Sequence, residues 1–384
     1  MASAPAHVVW DDRFLEYDFG GDHPFSERSR ALGVRLLERL IAAGAAPPVA
    51  WTRDVGPAPR DLLERFHASE YLDFVEEAGL AEFGGVLDGG DTPAFPGCYG
   101  AAARLVAGAA RGLAATREFK VPAFHPAGGL HHAHPARASG FCIFNDVAIV
   151  VAEAVRAGLS VAYLDIDAHH GDGVMYGFYE SGRVLDIDVH QDGRTLFPGT
   201  GFPVESGRAD GAGLKVNLPL PPLAGDEALL PLVRRVVVPL VREFRPNVIV
   251  VQHGVDGHVG DPLARLQYTP AAYAEIDRIV LALAREVSDG RILVTGGGGY
   301  DPATVSRVLA GAGLALAGGE LPPRHAHLPA DWRADFHIET GTAAPTAWVP
   351  HATVVASPWS PSDEDALVGA LERHLGRRFP RPTD

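Results

Sequence analysis

The chain has 384 residues, 47% apolar and 21% charged, with a formal net charge of −15. That length allows a large buried core and, taken alone, about two or three domains. An acidic chain without a Lys/Arg-rich run lacks the basic face that phosphate backbones require, so nucleic acid is not expected as a direct partner. No apolar run reaches the ~18 residues of a membrane span.

In chain order, the segment Met1–Ala6 lacks a basic stretch followed by an apolar one, so no leader is expected. Cys98 and Cys142 belong to no CxxC pair, which suits a reducing compartment, and the cytoplasm is the expected location. Apolar Val121 to Phe124 leads to Gly128-Gly129-Leu130-His131-His132. A helix is predicted from Asp146 to Ala157, then a strand from Val161 to Asp167, followed by Ala168-His169-His170-Gly171-Asp172-Gly173. Val184 to Val189 predicts a strand, Asp226 to Phe244 a helix, and Val248 to His253 a strand that leads to Asp256. Pro270 to Val287 predicts a helix, and Ile292 to Thr295 a strand that runs into Gly296–Gly299 and Tyr300. A helix then runs from Pro302 to Leu316. Leu321 to Pro361 is weakly periodic and is expected to wrap the surface. Ser362 reads as the N-cap of a last helix with an acidic first turn and a stripe of Leu367, Leu371 and Leu375.

The strands are apolar on both faces, as parallel strands covered by helices must be. The expected fold is α/β: a single domain with a parallel sheet of about eight strands and helices on both faces. Residues 1–320 form this domain, and 321–384 are a C-terminal extension packed on it. The polar candidates sit at or past the C-terminal ends of strands, where open α/β sheets keep their ligand crevice.

Residues two apart share a face of a strand, so Asp165, Asp167 and, if the chain stays extended, His169 point the same way. Burying such groups is costly without a strong partner, and a divalent cation is one. Asp167, His169 and Asp256 make a three-ligand set with open positions, the pattern of a catalytic metal. A lone DxD more often caps a helix or holds a turn; His169, His170, Asp172 and the distant Asp256 favour the metal. Asp165 and Asp172 are two carboxylates able to orient His131 and His132, one of which would then move a proton. His125 and His134 read as structural or surface residues. The glycine run fits neither a dinucleotide fingerprint nor a P-loop, and Tyr300 is expected to donate to an oxyanion from a loop its glycines make mobile.

At these residues the chain resembles the histone deacetylase family, within the arginase-deacetylase fold. The matching stretches are Gly128 to Ala133, Ser139 to Cys142, Asn145-Asp146, Asp165 to Gly173, Phe197 to Gly201, Gly260-Asp261-Pro262 and Gly296 to Tyr300. They occur in family order over Val8 to Leu316, and Gln252 to Asp256 looks most like the bacterial acetoin-utilization type. The resemblance implies Zn²⁺ (or Fe²⁺) on Asp167, His169 and Asp256. It implies His132 as general base and acid backed by Asp172, His131 with Asp165 as its electrostatic partner, and Tyr300 on the acyl oxygen. Phe141 and Phe197 would wall a tunnel for the lysine methylenes, with Gly140 and Gly298 also lining the substrate. Leu263 falls at a rim position where polyamine-specific relatives carry Glu.

The family also implies two monovalent cations, K⁺ or Na⁺. One would sit on the Asp165 side chain and carbonyl with carbonyls of Asp167, His169, Asp188 and Val189. The other would use carbonyls of Phe178, Ser181, Val184 and Leu214. Six residues after His23 the family's Arg is replaced by Ser29, flanked by Arg28 and Arg30; Asp88 and Asp91 lie near the expected rim Asp, and His258 has no family counterpart.

The resemblance implies hydrolysis of the acetyl amide of acetyl-lysine in proteins, with acetyl-CoA synthetase as one acetylated partner. The alternative substrate is an acetylated polyamine or another small acetamide. An arginase-like ureohydrolase would need a second carboxylate pair, where this chain has Asp256-Gly257-His258. A turnover-dead acyl-lysine binding module would lack one of the site residues, all of which are present.

Overall fold

Alternate residues of the central strands enter different apolar cores, which is why these runs read as apolar on both faces. Ile249 and Val251 join the core that contains Ile292 and Val294. Val248 and Val250 join the one that contains Val161, Tyr163 and Leu293. Each fully buried Val or Ile contributes about 1.5–3 kcal/mol. The computed structural model describes residues 5–21, 23–80, 85–349 and 354–380. Residues 1–4, on which the expectation about a leader partly rests, lie outside the described residues, as do 350–353 within the stretch before the last helix.

The strands are β1 (His7–Val9), β2 (Ala50–Thr52), β3 (Ala123–His125), β4 (Val161–Asp165), β5 (Val184–Gln191), β6 (Lys215–Leu220), β7 (Val248–Gln252) and β8 (Ile292–Thr295). They form one eight-stranded sheet in the order β2-β1-β3-β8-β7-β4-β5-β6, and every pair is parallel. Helices Cys98–Phe119 and Asp146–Arg156 pack together on one face. Helices Arg28–Ala42, Pro270–Val287 and Pro302–Leu316 pack on the other. The β4, β7 and β8 ends converge on one edge, with β3 beside them, and this edge carries the polar residues.

Several elements differ from expectation. β4 ends at Asp165, and bends follow, so Asp167 and His169 are not carried on an extended strand beside Asp165. The helix begun at Asp226 is interrupted by a π turn at Val233–Val237. That turn lies just before Pro239, which has no N–H to continue the ladder. The stretch after Leu321 contains a helix, Ala330–Thr340, whose Trp332 and Phe336 are buried at i,i+4 spacing in the main core. The last helix, Pro361–Leu375, is capped by Ser360 and not Ser362. The Ser360 side chain and the Asp363 carboxylate exchange hydrogen bonds with each other's backbone, and Pro361 takes the first helical position it favours. Val368 and Leu371 are buried in the same core, and Trp332 Nε1 donates to Leu32 O at 2.8 Å.

Candidate active site

His131 and His132 sit on a loop fastened from both sides. Asn145 caps helix Asp146–Arg156 by accepting from Ala148 N, and its amide donates to His131 O and Ala133 O, each at 2.9 Å. Asp146 accepts from Leu130 N at 2.8 Å, and Gln252 at the end of β7 donates to Gly129 O at 2.7 Å. These buried bonds hold both imidazoles at the sheet edge.

His131 Nδ1 lies 2.8 Å from Asp165 Oδ2, and His132 Nδ1 lies 2.7 Å from Asp172 Oδ1. The two Nε2 atoms are 3.0 Å apart. Burial pushes the His132 imidazole down to about 4, with His131 adding to the effect and Asp172 opposing it. His134 is partly buried and lies 3.0 Å from Asp172 Oδ2, so Asp172 serves two imidazoles. His125, by contrast, is fully buried and bonds Leu105 O at 3.0 Å, as a structural residue does.

Asp167, His169 and Asp256 converge, with one ligand atom from each within 4.8 Å of the others. His169 Nδ1 is 2.8 Å from Asp256 Oδ2 and 3.2 Å from Asp167 Oδ1. Ala168 N donates to Asp256 Oδ1 at 2.7 Å, and Gly298 N to Asp167 Oδ2 at 2.6 Å. Burial works against charge on His169, yet the two carboxylates outweigh it and push the imidazole up to about 10. Burial and the Asp167 charge push Asp256 well above the usual carboxylate range. These groups demand positive charge between two buried acids, and two oxygens plus a nitrogen fit a divalent cation. Gly298 is required here, because a Cβ would run into Asp256 Oδ2 and reach 2.9 Å from Asp167 Oδ2.

A narrow cavity is lined by His131, His132, Asp167, His169, Gly298 and Tyr300, with Asp256 buried behind it. The Tyr300 ring stands edge-on to His169 at 6.4 Å and to Phe141 at 6.0 Å. Phe197 stands edge-on to His132 at 5.0 Å and is 43% exposed. Gly140 lies between them at φ 54°, and a Cβ there would come 2.6 Å from His132 Cδ2 and 2.9 Å from Phe197 Cε1. Leu263 is exposed on a loop whose Asp261 carboxylate accepts from Leu263 N at 2.9 Å and, on its other oxygen, from Tyr300 N at 3.0 Å. Asp261 therefore anchors Tyr300. Its only sequence signal is its place in Gly260-Asp261-Pro262.

Arg30, not Arg28, reaches the site. It is buried, donates to Gly297 O in the glycine run and to Ser26 O, and stacks on Phe25; the Arg28 side chain is 58% exposed. Asp88 spends one carboxylate oxygen on the backbone of Gly90, Asp91 and Thr92, while Asp91 is exposed and is pushed up by partial burial and by Asp88. His258 lines a separate cavity with Tyr273, Arg307 and Trp348.

Asp165 and Asp188 are ladder partners and both buried. Burial pushes both well above the usual range, with Asp188 adding to it at Asp165 and Asp186 at Asp188. The second expected cation position is different. The Lys215 ammonium meets the carbonyls of Ser181, Val184 and Leu214, and Phe178 O accepts from Ser181 N at 2.9 Å. A side-chain ammonium therefore stands among the carbonyls at which a free ion was expected.

The histone deacetylase domain matches residues 23–315. The chain belongs to the histone deacetylase family. Its relatives include the acetoin utilization protein AcuC of Staphylococcus xylosus, 35% identical over 88% of this chain and 89% of that one. AcuC of Bacillus subtilis (strain 168) is also 35% identical, over 88% of each chain. The crystal structure of the HDA15 HD domain matches with a TM-score of 0.73 and 28% identity, over 83% of this chain and 91% of that one. This deacetylase-family chain therefore has the arginase-deacetylase fold expected from its sequence. Among the described residues no helix is long and apolar enough to cross a membrane.

Proposed function

We propose that this chain is a cytoplasmic, zinc-dependent protein-lysine deacetylase that hydrolyses the acetyl amide of acetyl-lysine. The observation that carries the proposal is the His131–His132 pair, each ring backed by its own carboxylate, beside the convergent Asp167, His169 and Asp256. Zn²⁺ or Fe²⁺ on those three residues would supply Lewis-acid polarisation of the acyl oxygen and a lower pKa for water. His132 removes a proton from water as it adds to the acyl carbon. His132 then returns the proton to the lysine nitrogen as the C–N bond breaks, leaving acetate and a free amine. Asp172 holds the ring and stabilises its charged form, and His131 with Asp165 balances the charge beside it. Tyr300 donates to the oxyanion, a contribution of about 3–4 kcal/mol for a typical donor. Phe141, Phe197 and Gly140 accept the methylenes. K⁺ or Na⁺ at Asp165, Asp167, His169, Asp188 and Val189 would stiffen the edge beneath it.

Acetylated protein is the favoured substrate because apolar Leu263 offers nothing to a polyamine's second ammonium. By analogy with the acetoin-utilization type, an acetylated metabolic enzyme such as acetyl-CoA synthetase is the partner to test. Steady-state kinetics with acetyl-lysine peptides against acetylputrescine separate the readings. A kcat/KM that favours the peptide supports the proposal, and one that favours acetylputrescine assigns the site to small acetamides.

A further inference from the structure

A lysine ammonium buried in a protein core is costly unless its donors are met. Lys215, the first residue of β6, is fully buried. Its Nζ donates to Val184 O at 2.8 Å and to Ser181 O and Leu214 O at 3.4 Å, so three donors face three carbonyls. Across the β5–β6 register stands Asp186, buried, with neither carboxylate oxygen hydrogen-bonded. Asp186 and Lys215 lie close enough to interact as opposite charges without touching. Three inward carbonyls with a nearby uncommitted carboxylate would hold a free monovalent ion if the ammonium were absent.

We propose that Lys215 is a tethered cation that replaces a soluble monovalent ion at the carbonyls of Ser181, Val184 and Leu214, so the chain needs no free ion there. The segment it holds runs from the end of helix Asp172–Gly177 into β5. It links Asp172, the partner of His132, to Asp188 beneath the site. Covalent attachment keeps this cage filled at any salt concentration, whereas a free ion would leave it empty when dilute.

The test is crystallographic and thermal, and neither readout depends on the substrate assigned above. Crystals of the wild-type protein soaked in thallium(I), a K⁺ mimic with strong anomalous scattering, should show no ion at the three carbonyls. Lys215→Ala should show one. The melting temperature of Lys215→Ala should rise by a few degrees in KCl over choline chloride, beyond any response of the wild type. Lys215→Met, which fills the space without charge, should lack that added response. Thallium at these carbonyls in the wild type with Lys215 swung out would overturn the proposal. So would a Lys215→Ala cage without an ion and with no added response to KCl. Should Lys215→Ala not fold, the wild-type soak decides alone.

Discussion

The Nε2 atoms of His131 and His132 lie 3.0 Å apart while each Nδ1 is held by its own carboxylate, Asp165 at 2.8 Å and Asp172 at 2.7 Å. Each ring's charge bears on the other across that distance, so under the proposed mechanism the acid limb of the rate profile is expected to belong to the pair.

Asp172→Asn tests this relay. Burial and His131 hold His132 down to about 4, and Asp172 works in the opposite direction. Removing the Asp172 charge should lower the imidazole further. The acid limb of kcat/KM should move to lower pH while kcat falls by about 10²-fold or more, because the charged ring needed to protonate the amine is less stable. An acid limb that stays or moves up would separate Asp172 from His132.

Tyr300→Phe should keep its metal and its fold and lose about 10²–10³ in kcat, since only the donor to the oxyanion is removed. Turnover near that of the wild type, measured at equal metal content, would remove Tyr300 from the chemistry.

Gly298→Ala should retain the fold and lose metal. The added methyl group meets Asp256 Oδ2 directly and comes 2.9 Å from Asp167 Oδ2. Bound Zn²⁺ per chain reads the result, and full occupancy in the variant would contradict the site geometry.

Acid should destabilise the fold through its buried histidines. Burial pushes His67, His125 and His190 down to about 4. A folded pKa below the unfolded value of about 6.5 means the unfolded chain binds more protons in between. Stability is therefore fully present above that value and is lost as pH falls towards 4. Each such histidine contributes a slope of at most about 1.4 kcal/mol per pH unit. His67 Nε2 accepts from Asn145 N at 2.9 Å, which protonation forbids. His67→Gln keeps an acceptor and should flatten the slope in denaturant melts by up to one proton; an unchanged slope would contradict this role.

Much of this was legible because the central strands are long, apolar on both faces and followed at once by chemistry. β8 and helices Pro270–Val287 and Pro302–Leu316 have the expected bounds. Strands β1 and β2 are three residues each and carry too little pattern to be seen. Asp167, His169 and Asp256 were singled out by residue type, though the extended strand assumed for Asp167 and His169 ends at Asp165. Partners that work through tertiary contact were not legible. Asp261 anchors Tyr300 from 39 residues away, His134 shares Asp172 across 38, and a lone lysine after Leu214 gives no sign of the carbonyls it meets. The arginine that reaches Gly297 is set by which side of helix Arg28–Ala42 faces inward, which a shift of one residue from Ser29 to Arg30 decides.

Metal dependence of turnover is the most direct test of the whole account. Chelator-treated protein should be inactive on an acetyl-lysine peptide and should regain activity at one Zn²⁺ or Fe²⁺ per chain, while Asp167→Ala and Asp256→Ala should neither retain metal nor recover. Full turnover in the metal-free protein, or recovery in either variant at the wild-type stoichiometry, would contradict it.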